Sequence, residues 1–530
     1  MLLLVLGQSV TFTSCATPTS PNGGDRDSIG PVLIAEETTP NFQTNFRPEE
    51  IVLTFDEWVE LDNKQEIIIS PPIDLGENRP FLRRRSLIIP LAGIDLLDSV
   101  TYVVNVGSAI KDLNEGNPTE NLRFVFATGP VLDTATLSGT LVDDFSGEPL
   151  DGATFTLYGN LADTATTTAN PTYFAQTDEE GRFTVYNIRP GVYRPVGLVR
   201  NNGATNYYVD FDGTFPPLAV GFSDSLVTVR DGDNLFGALR VSPVAKPTKV
   251  TRFDTTAFGQ LDIVLNQDAR LVDFRAGRSD YLRRDVKDTL RLFYPTPAAD
   301  TIYVGRDPEY RDTLYFAGQP AGQANPPRLD RSSKGKIGSR TGAFIELDQP
   351  IVRIDTAGIV LSRDSLRNLP LTIVQDTTFS GRLLVRHAWE AGKNYVLEVL
   401  PEALTAQNGL SNPDTLRSRF AIGNPTTYGT LTLKLRNLDP TKHYILRLVK
   451  GDEPLVDTRR YVDLRFDYDV TYYDLPAAEY RVELLEDTNN NRRYDSGDFR
   501  FGRQPETVRR FTIAPLRANW EVEEEIDLGG

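Results

Sequence analysis

The sequence predicts an all-β chain of at least four antiparallel β-sandwiches joined end to end in an elongated multidomain arrangement. Short β-branched and aromatic runs bounded by Gly, Pro, Asn and Asp recur from Pro31 onward. No stretch shows an apolar stripe sustained over several helical turns. The 530 residues exceed one compact globule, since a domain typically takes about 150 residues and small sandwiches take fewer.

In chain order, Leu2–Leu6 is apolar, Thr11–Ser14 is small or apolar, and Cys15, the sole cysteine, follows. This segment is far shorter than the roughly 20 apolar residues that cross a bilayer as a helix, and no later stretch approaches that length. Phe12-Thr13-Ser14-Cys15 resembles a bacterial lipobox. The resemblance implies that residues 1–14 are a lipoprotein signal peptide and that Cys15 is lipidated, with a membrane as partner through several acyl chains where a single one is marginal. Phe12 replaces the usual Leu and no Lys or Arg precedes it, so a start upstream of Met1 and an ordinary free cysteine stay open. Residues 15–30 are rich in Pro, Ser, Thr and Gly and read as a flexible tether.

Residues 31–130 carry Ile51-Val52-Leu53-Thr54-Phe55-Asp56-Glu57, Thr101-Tyr102-Val103-Val104-Asn105-Val106 and Phe124-Val125-Phe126-Ala127-Thr128-Gly129. These runs resemble the bacterial Ig-like domain of the S-layer (SbsA) type, which implies a spacer in an envelope protein. Residues 135–245 carry Leu137-Ser138-Gly139-Thr140-Leu141, Thr177-Asp178-Glu179-Glu180-Gly181 and Pro190-Gly191-Val192-Tyr193. They are similar to the carboxypeptidase-regulatory-like, transthyretin-like sandwich, whose motifs are turn chemistry and supply no catalytic group. Residues 246–317 alternate like strands and match no family pattern, and the Gly-, Pro- and Ser-rich residues 318–340 read as a loop or linker. Tyr395-Val396-Leu397-Glu398-Val399 repeats the Tyr102 run, so residues 341–424 read as a diverged second Ig-like domain. Leu475-Pro476-Ala477-Ala478-Glu479-Tyr480 repeats Ile188–Tyr193, so residues 425–530 read as a second regulatory-like sandwich. As a whole the chain resembles multidomain lipoproteins of the Bacteroidetes group.

Composition narrows the chemistry. A net charge of −17 leaves no basic surface for nucleic acid. Two histidines, one cysteine and one methionine exclude most metal, Fe–S, Cys–His and disulfide architectures. His387 and His443 lie in strand-like runs with no nucleophile motif nearby, so no catalytic residue is assigned. Carboxylates are too abundant to single out a glycosidase pair, and Asp56-Glu57 reads as a solvated turn. One spacing is sharper: Asp487, Asn489, Asn491, Asp495 and Asp498 set oxygen side chains at positions 1, 3, 5, 9 and 12 of a loop, with the Arg493 carbonyl at position 7. That is the ligand order of EF-hand-type calcium loops, so a structural Ca²⁺ is expected, against the alternative of a metal-free Asp/Asn-rich turn. Arg492 stands where Gly allows the bend, and Asp498 where a bidentate Glu is usual. Asn201, Asn202, Asn206, Asp210 and Asp212 form a degenerate analogue without the spacing, and no ion is assigned there.

The function expected is a non-enzymatic outer-membrane lipoprotein, at the periplasmic face or the cell surface, acting as a modular scaffold or adhesion protein with an envelope protein or glycan as partner. The alternative is a glycan-binding accessory or carboxylate-based hydrolase with its site at a domain junction.

Overall fold

The computed structural model describes residues 28–62, 67–76, 78–119, 122–201, 204, 206–245, 247–255, 257–295, 298–305, 311–318, 324–377, 379–451, 453–455 and 459–529. Cys15, the expected signal segment and most of the expected tether lie outside them. The described chain is built of strands, and its one α-helix, Ala165–Thr168, is a single turn. It divides between Ser242 and Pro243 into two compact units.

Period-2 burial shows why these residues form strands. Tyr428–Arg436 buries every second side chain, placing Leu431, Leu433 and Leu435 inside, and Ala135–Asp143 does the same with Leu137 and Leu141. Five separate apolar cores result among the described residues. In the first unit one is centred on Phe55, Tyr102 and Phe126 and the other on Leu137, Phe155 and Phe183. In the second unit they are centred on Leu261 and Tyr294, on Leu361 and Tyr395, and on Leu433 and Leu484.

Two topologies each occur twice. Around Tyr102, the sheet of Ile68–Ser70, Thr101–Gly107 and Leu122–Ala127 faces the sheet of Glu50–Thr54, Ser86–Pro90 and Phe81–Arg83. Around Tyr395 the same orders recur in Ile359–Arg363, Asn394–Val399 and Leu416–Ile422, and in Ala343–Leu347, Arg382–Arg386 and Thr372–Gln375. In the second topology the last strand runs parallel to the first: Asp233–Pro243 beside Ala135–Asp143, and Glu521–Asp527 beside Tyr428–Arg436. Gly139 is needed for the first of these approaches, because a Cβ there would lie 2.6 Å from the Gly237 carbonyl oxygen and 2.7 Å from the Phe183 ring.

The repeated tyrosines make the same bonds in each copy. Tyr102 and Tyr395 each accept the backbone N–H five residues upstream, from Leu97 at 2.9 Å and Glu390 at 3.0 Å. Tyr193 and Tyr480 each donate to the carbonyl four residues upstream, Arg189 at 2.6 Å and Pro476 at 2.7 Å. Each hydroxyl fastens the entering turn to the ring it buries, and burial pushes the Tyr480 phenol up to about 12. Tyr395→Phe and Tyr480→Phe should each lower stability by about 1 kcal/mol, the net worth of one hydrogen bond. Urea unfolding of the full chain measures this, and midpoints equal to the parent's would show that the latches do nothing.

Residues 246–317 close as a sandwich of their own. Its sheets are Val250–Asp254, Gln260–Leu265, Thr289–Phe293 and Leu282–Val286, and Phe274–Ala276, Asp300–Val304 and Asp312–Phe316. The reading of 318–340 as loop or linker needs correction: Leu329–Ser332 and Gly335–Ile337 are strands, pairing with Ala343–Leu347 and with Leu416–Ile422. They sit at sheet edges with little buried surface, which is why they lack the apolar alternation that marks a strand in sequence.

Candidate functional site

The calcium-type loop joins two neighbouring antiparallel strands, Tyr480–Asp487 and Val508–Thr512, which pair through Leu485 and Val508. A hairpin connection this long is unusual in a compact sandwich. Its form comes from side chains folding the backbone around themselves. The N–H groups of Asn491 (3.0 Å) and Arg492 (2.7 Å) donate to the two Asp487 oxygens, that of Asn491 also to Asn489 Oδ1 (3.1 Å), and that of Arg493 to Asn491 Oδ1 (3.0 Å). Arg492, at the position where glycine is usual, adopts φ +62°, so the loop makes the left-handed bend without the residue that tolerates it best.

Asp487, Asp495 and Asp498 are all under one-tenth exposed. The carboxamides of Asn489 and Asn491 both donate to Asp495 Oδ2. Arg492 turns away over the Tyr461 ring, whereas Arg493 bonds Asp273 at 2.8 Å and brings its Nε to 3.6 Å from Asp495. Asp498 accepts the Arg500 N–H at 3.1 Å, with Arg503 3.9 Å away. Sequence reasoning missed Glu506, which is 4% exposed and closes the loop by accepting from the N–H and hydroxyl of Thr488 and the N–H of Asp495. Burial, with Asp495's charge adding to it, pushes the Glu506 carboxyl above the usual range although these bonds pull the other way.

Four buried carboxylates suit a hard cation in chemistry. In arrangement they are met by N–H groups, and among the described residues no three His, Cys, Asp or Glu side chains converge on a metal position. Holding calcium requires Asn489 and Asn491 to turn their oxygens toward Asp495 in place of their NH₂ groups. In the degenerate analogue, Asn202 lies outside the described residues and the Asn206 carboxamide donates to the Tyr208 carbonyl at 3.5 Å.

The two histidines are held locally. His387 Nδ1 lies 2.6 Å from the Pro370 carbonyl oxygen with its ring edge-on to Trp389 and Tyr395, and His443 Nδ1 lies 2.8 Å from Asp463. Asp56 accepts the Val32 N–H at 2.9 Å.

A second feature, unmarked in sequence, is a cleft of about 630 Å³ in the first unit. One wall is the outer face of the sheet containing Ser70, Asn105 and Arg123. The other is formed by the strands Tyr173–Gln176 and Arg182–Ile188. Among the described residues its one lining carboxylate, Asp178, is bonded to Arg182 at 3.1 Å.

No family model and no curated protein matches the chain. Among solved structures, it is similar to the BcpA major pilin subunit of Bacillus cereus, at 10% identity over 74% of this chain and 99% of that one, with a TM-score of 0.12. It is also similar to the S-layer protein rSbsC, at 10% identity over 89% of this chain and 66% of that one, with a TM-score of 0.14. A DUF3823 family protein from Parabacteroides merdae matches at 14% identity over 36% of this chain and 94% of that one, with a TM-score of 0.13. None of the three superposes on the chain as a whole.

Proposed function

We propose that this protein is a non-enzymatic envelope scaffold, anchored through a lipid on Cys15, in which Ig-like and transthyretin-like sandwiches present binding surfaces. The observation that carries this reading is the duplication: the same ordered pair of topologies occurs twice, and what repeats is core, turn and tyrosine latch. A repeated spacer needs only these. Hydrolysis by paired carboxylates would need two acids about 5 to 10 Å apart, whereas among the described residues the cleft is lined by one, already ion-paired. Mass spectrometry of native protein should show an acylated Cys15 peptide, and Cys15→Ala should move the chain to the soluble fraction. Full-length precursor with an unmodified thiol overturns the anchor. Crosslinking in the envelope followed by pull-down identifies what is bound.

Calcium has a structural part in this reading. Asp487, Asn489, Asn491, Asp495, Asp498 and the Arg493 carbonyl would hold it, with Glu506 bracing Asp495, and it would supply charge neutralisation at the hairpin. Because binding only the folded state stabilises it, calcium should raise the melting temperature where sodium of equal ionic strength does not. Asp487→Ala with Asp495→Ala should remove that increment, and an identical calcium response in the double variant would show the loop to be only a turn.

A further inference from the structure

We propose that the cleft of the first unit is a binding site for an acidic saccharide, with Arg123 taking the sugar carboxylate and Phe174 and Tyr186 facing the pyranose ring. The proposal rests on the binding half of the reading above and adds the ligand class and its residues.

The walls are fixed by strand register. Ser70 pairs with Val103, and Asn105 with Arg123, across the strands Ile68–Ser70, Thr101–Gly107 and Leu122–Ala127, so these side chains share the face turned away from the core of that sandwich. On the opposite wall, Arg182, Thr184 and Tyr186 alternate along one strand face, and Phe174 packs against Tyr207 at 5.0 Å between ring centroids.

Arg123 decides the charge of the ligand. It is half-buried, and among the described residues no carboxylate lies within 4 Å of it, although the chain carries 17 more acids than bases. Arg182 is different, since Asp178 and Glu180 already match its charge. The Arg123 guanidinium lies 3.6 Å from the centroid of the Tyr186 ring. Stacking of that kind engages the flat face of the group and leaves its in-plane N–H edge for a bidentate carboxylate. Desolvation, the main influence on its proton affinity, lowers it below the ordinary value, as expected for a cation without a buried counter-charge. An arriving anion supplies that counter-charge.

The remaining groups suit a polyol. The side-chain amides of Asn105 and Gln176 make no hydrogen bond to any described residue. Ser70, which also lines the cleft, is 2% exposed, and its buried hydroxyl has no hydrogen-bond partner among the described residues. Such groups gain by meeting sugar hydroxyls. Tyr186 is 42% exposed, so part of its ring is open to the apolar C–H face of a pyranose. The volume suits a mono- or disaccharide, and one cation without a carboxylate partner among the described residues fits one carboxylate better than a doubly charged phosphate.

The test is calorimetric titration of the full chain with digalacturonate and cellobiouronate, with neutral galactobiose and cellobiose, and with inorganic phosphate. At least one acidic disaccharide should bind ten times or more tightly than its neutral counterpart. Arg123→Gln should erase that preference and Arg123→Lys should keep part of it. Tyr186→Ala should weaken the acidic ligand at least tenfold. Asn105→Ala, which breaks no side-chain hydrogen bond among the described residues, should also weaken it, keeping the test valid where an Arg123 variant misfolds. Binding of neither acidic disaccharide, a preference that survives Arg123→Gln in a folded variant, or phosphate binding as tightly as the sugars would each overturn the proposal. Membrane fractionation of the Cys15 variant stands apart, so a failed titration leaves the scaffold reading intact and a failed anchor leaves the cleft intact.

Discussion

Glu483→Ala should unfold the C-terminal sandwich under conditions where the parent chain is native. Glu483 lies mid-strand, 2% exposed, directly opposite Arg447 on one neighbouring strand and Arg510 on the other. Arg447 Nε donates to one carboxylate oxygen at 2.5 Å and Arg510 Nε to the other at 3.1 Å, with an Arg481 nitrogen at 3.3 Å. One carboxylate thus separates three guanidinium groups, two of them less than a quarter exposed. Its removal leaves like charges facing each other in a poorly solvated position, and breaking a buried pair from one side costs about 3 to 5 kcal/mol. The comparison variant is Glu483→Leu with Arg447→Met and Arg510→Met. Replacing the carboxylate and its two more buried partners by apolar groups of similar volume removes those charges along with their attraction and leaves only the more exposed Arg481, so most of the loss should be recovered. Urea unfolding followed by tyrosine fluorescence reads both. A Glu483→Ala chain within about 1 kcal/mol of the parent would mean that water already solvates these arginines, since that is the worth of an exposed pair.

The strands with strict alternation, such as Tyr428–Arg436, were legible in the sequence because one face meets a core and the other meets solvent. The tyrosine repeats were legible because each latch is local, its partner four or five residues away. Leu329–Ser332 and Gly335–Ile337 were not, since an edge strand is defined by its partner more than by its own residues. The candidate site divides the same way. The spacing of Asp487 to Asp498 lies within one loop, whereas Glu506 follows that loop and Asp273, which takes the Arg493 guanidinium, lies 220 residues away. Arg123 and Tyr186 belong to different sandwiches and carry no shared motif. Their relation exists only once both sheets have formed.

The same limit hid the residue on which the second large effect depends. Arg284→Met should separate the melting of the 246–317 sandwich from that of its successor. Arg284 lies on the edge strand Leu282–Val286, opposite Arg291, and Arg291 is satisfied by a two-pronged bond to Asp262, both prongs at 2.7 Å. With its cross-strand neighbour cationic and already paired, Arg284 turns to the next sandwich. There it bonds Asp330, Glu346 at 2.9 Å and the Asp348 carbonyl at 3.0 Å, and lies 4.7 Å from the Phe379 ring centroid. Glu346 is 3% exposed and keeps Arg331 as a second partner, so the loss falls at the lower end for a broken buried pair, on the order of 3 kcal/mol. Arg284→Lys should recover little, because an ammonium lacks the fork that reaches several acceptors at once. Asp348 adds a pH signature. Burial raises its carboxyl above the ordinary value, while Arg284 and Arg291 oppose that rise. A raised acid holds its proton longer folded than unfolded, so its contribution is favourable below its unfolded pKa of about 3.8 and is lost as pH climbs through the folded value. Without Arg284 the folded value rises further and the loss continues to higher pH. The deficit of Arg284→Met should therefore be larger at pH 7 than at pH 4. Hydrogen exchange should show Leu282–Val286 and Ala343–Leu347 opening independently in the variant and together in the parent. A lysine variant as stable as the parent would show that the fork geometry plays no part in holding the two sandwiches together.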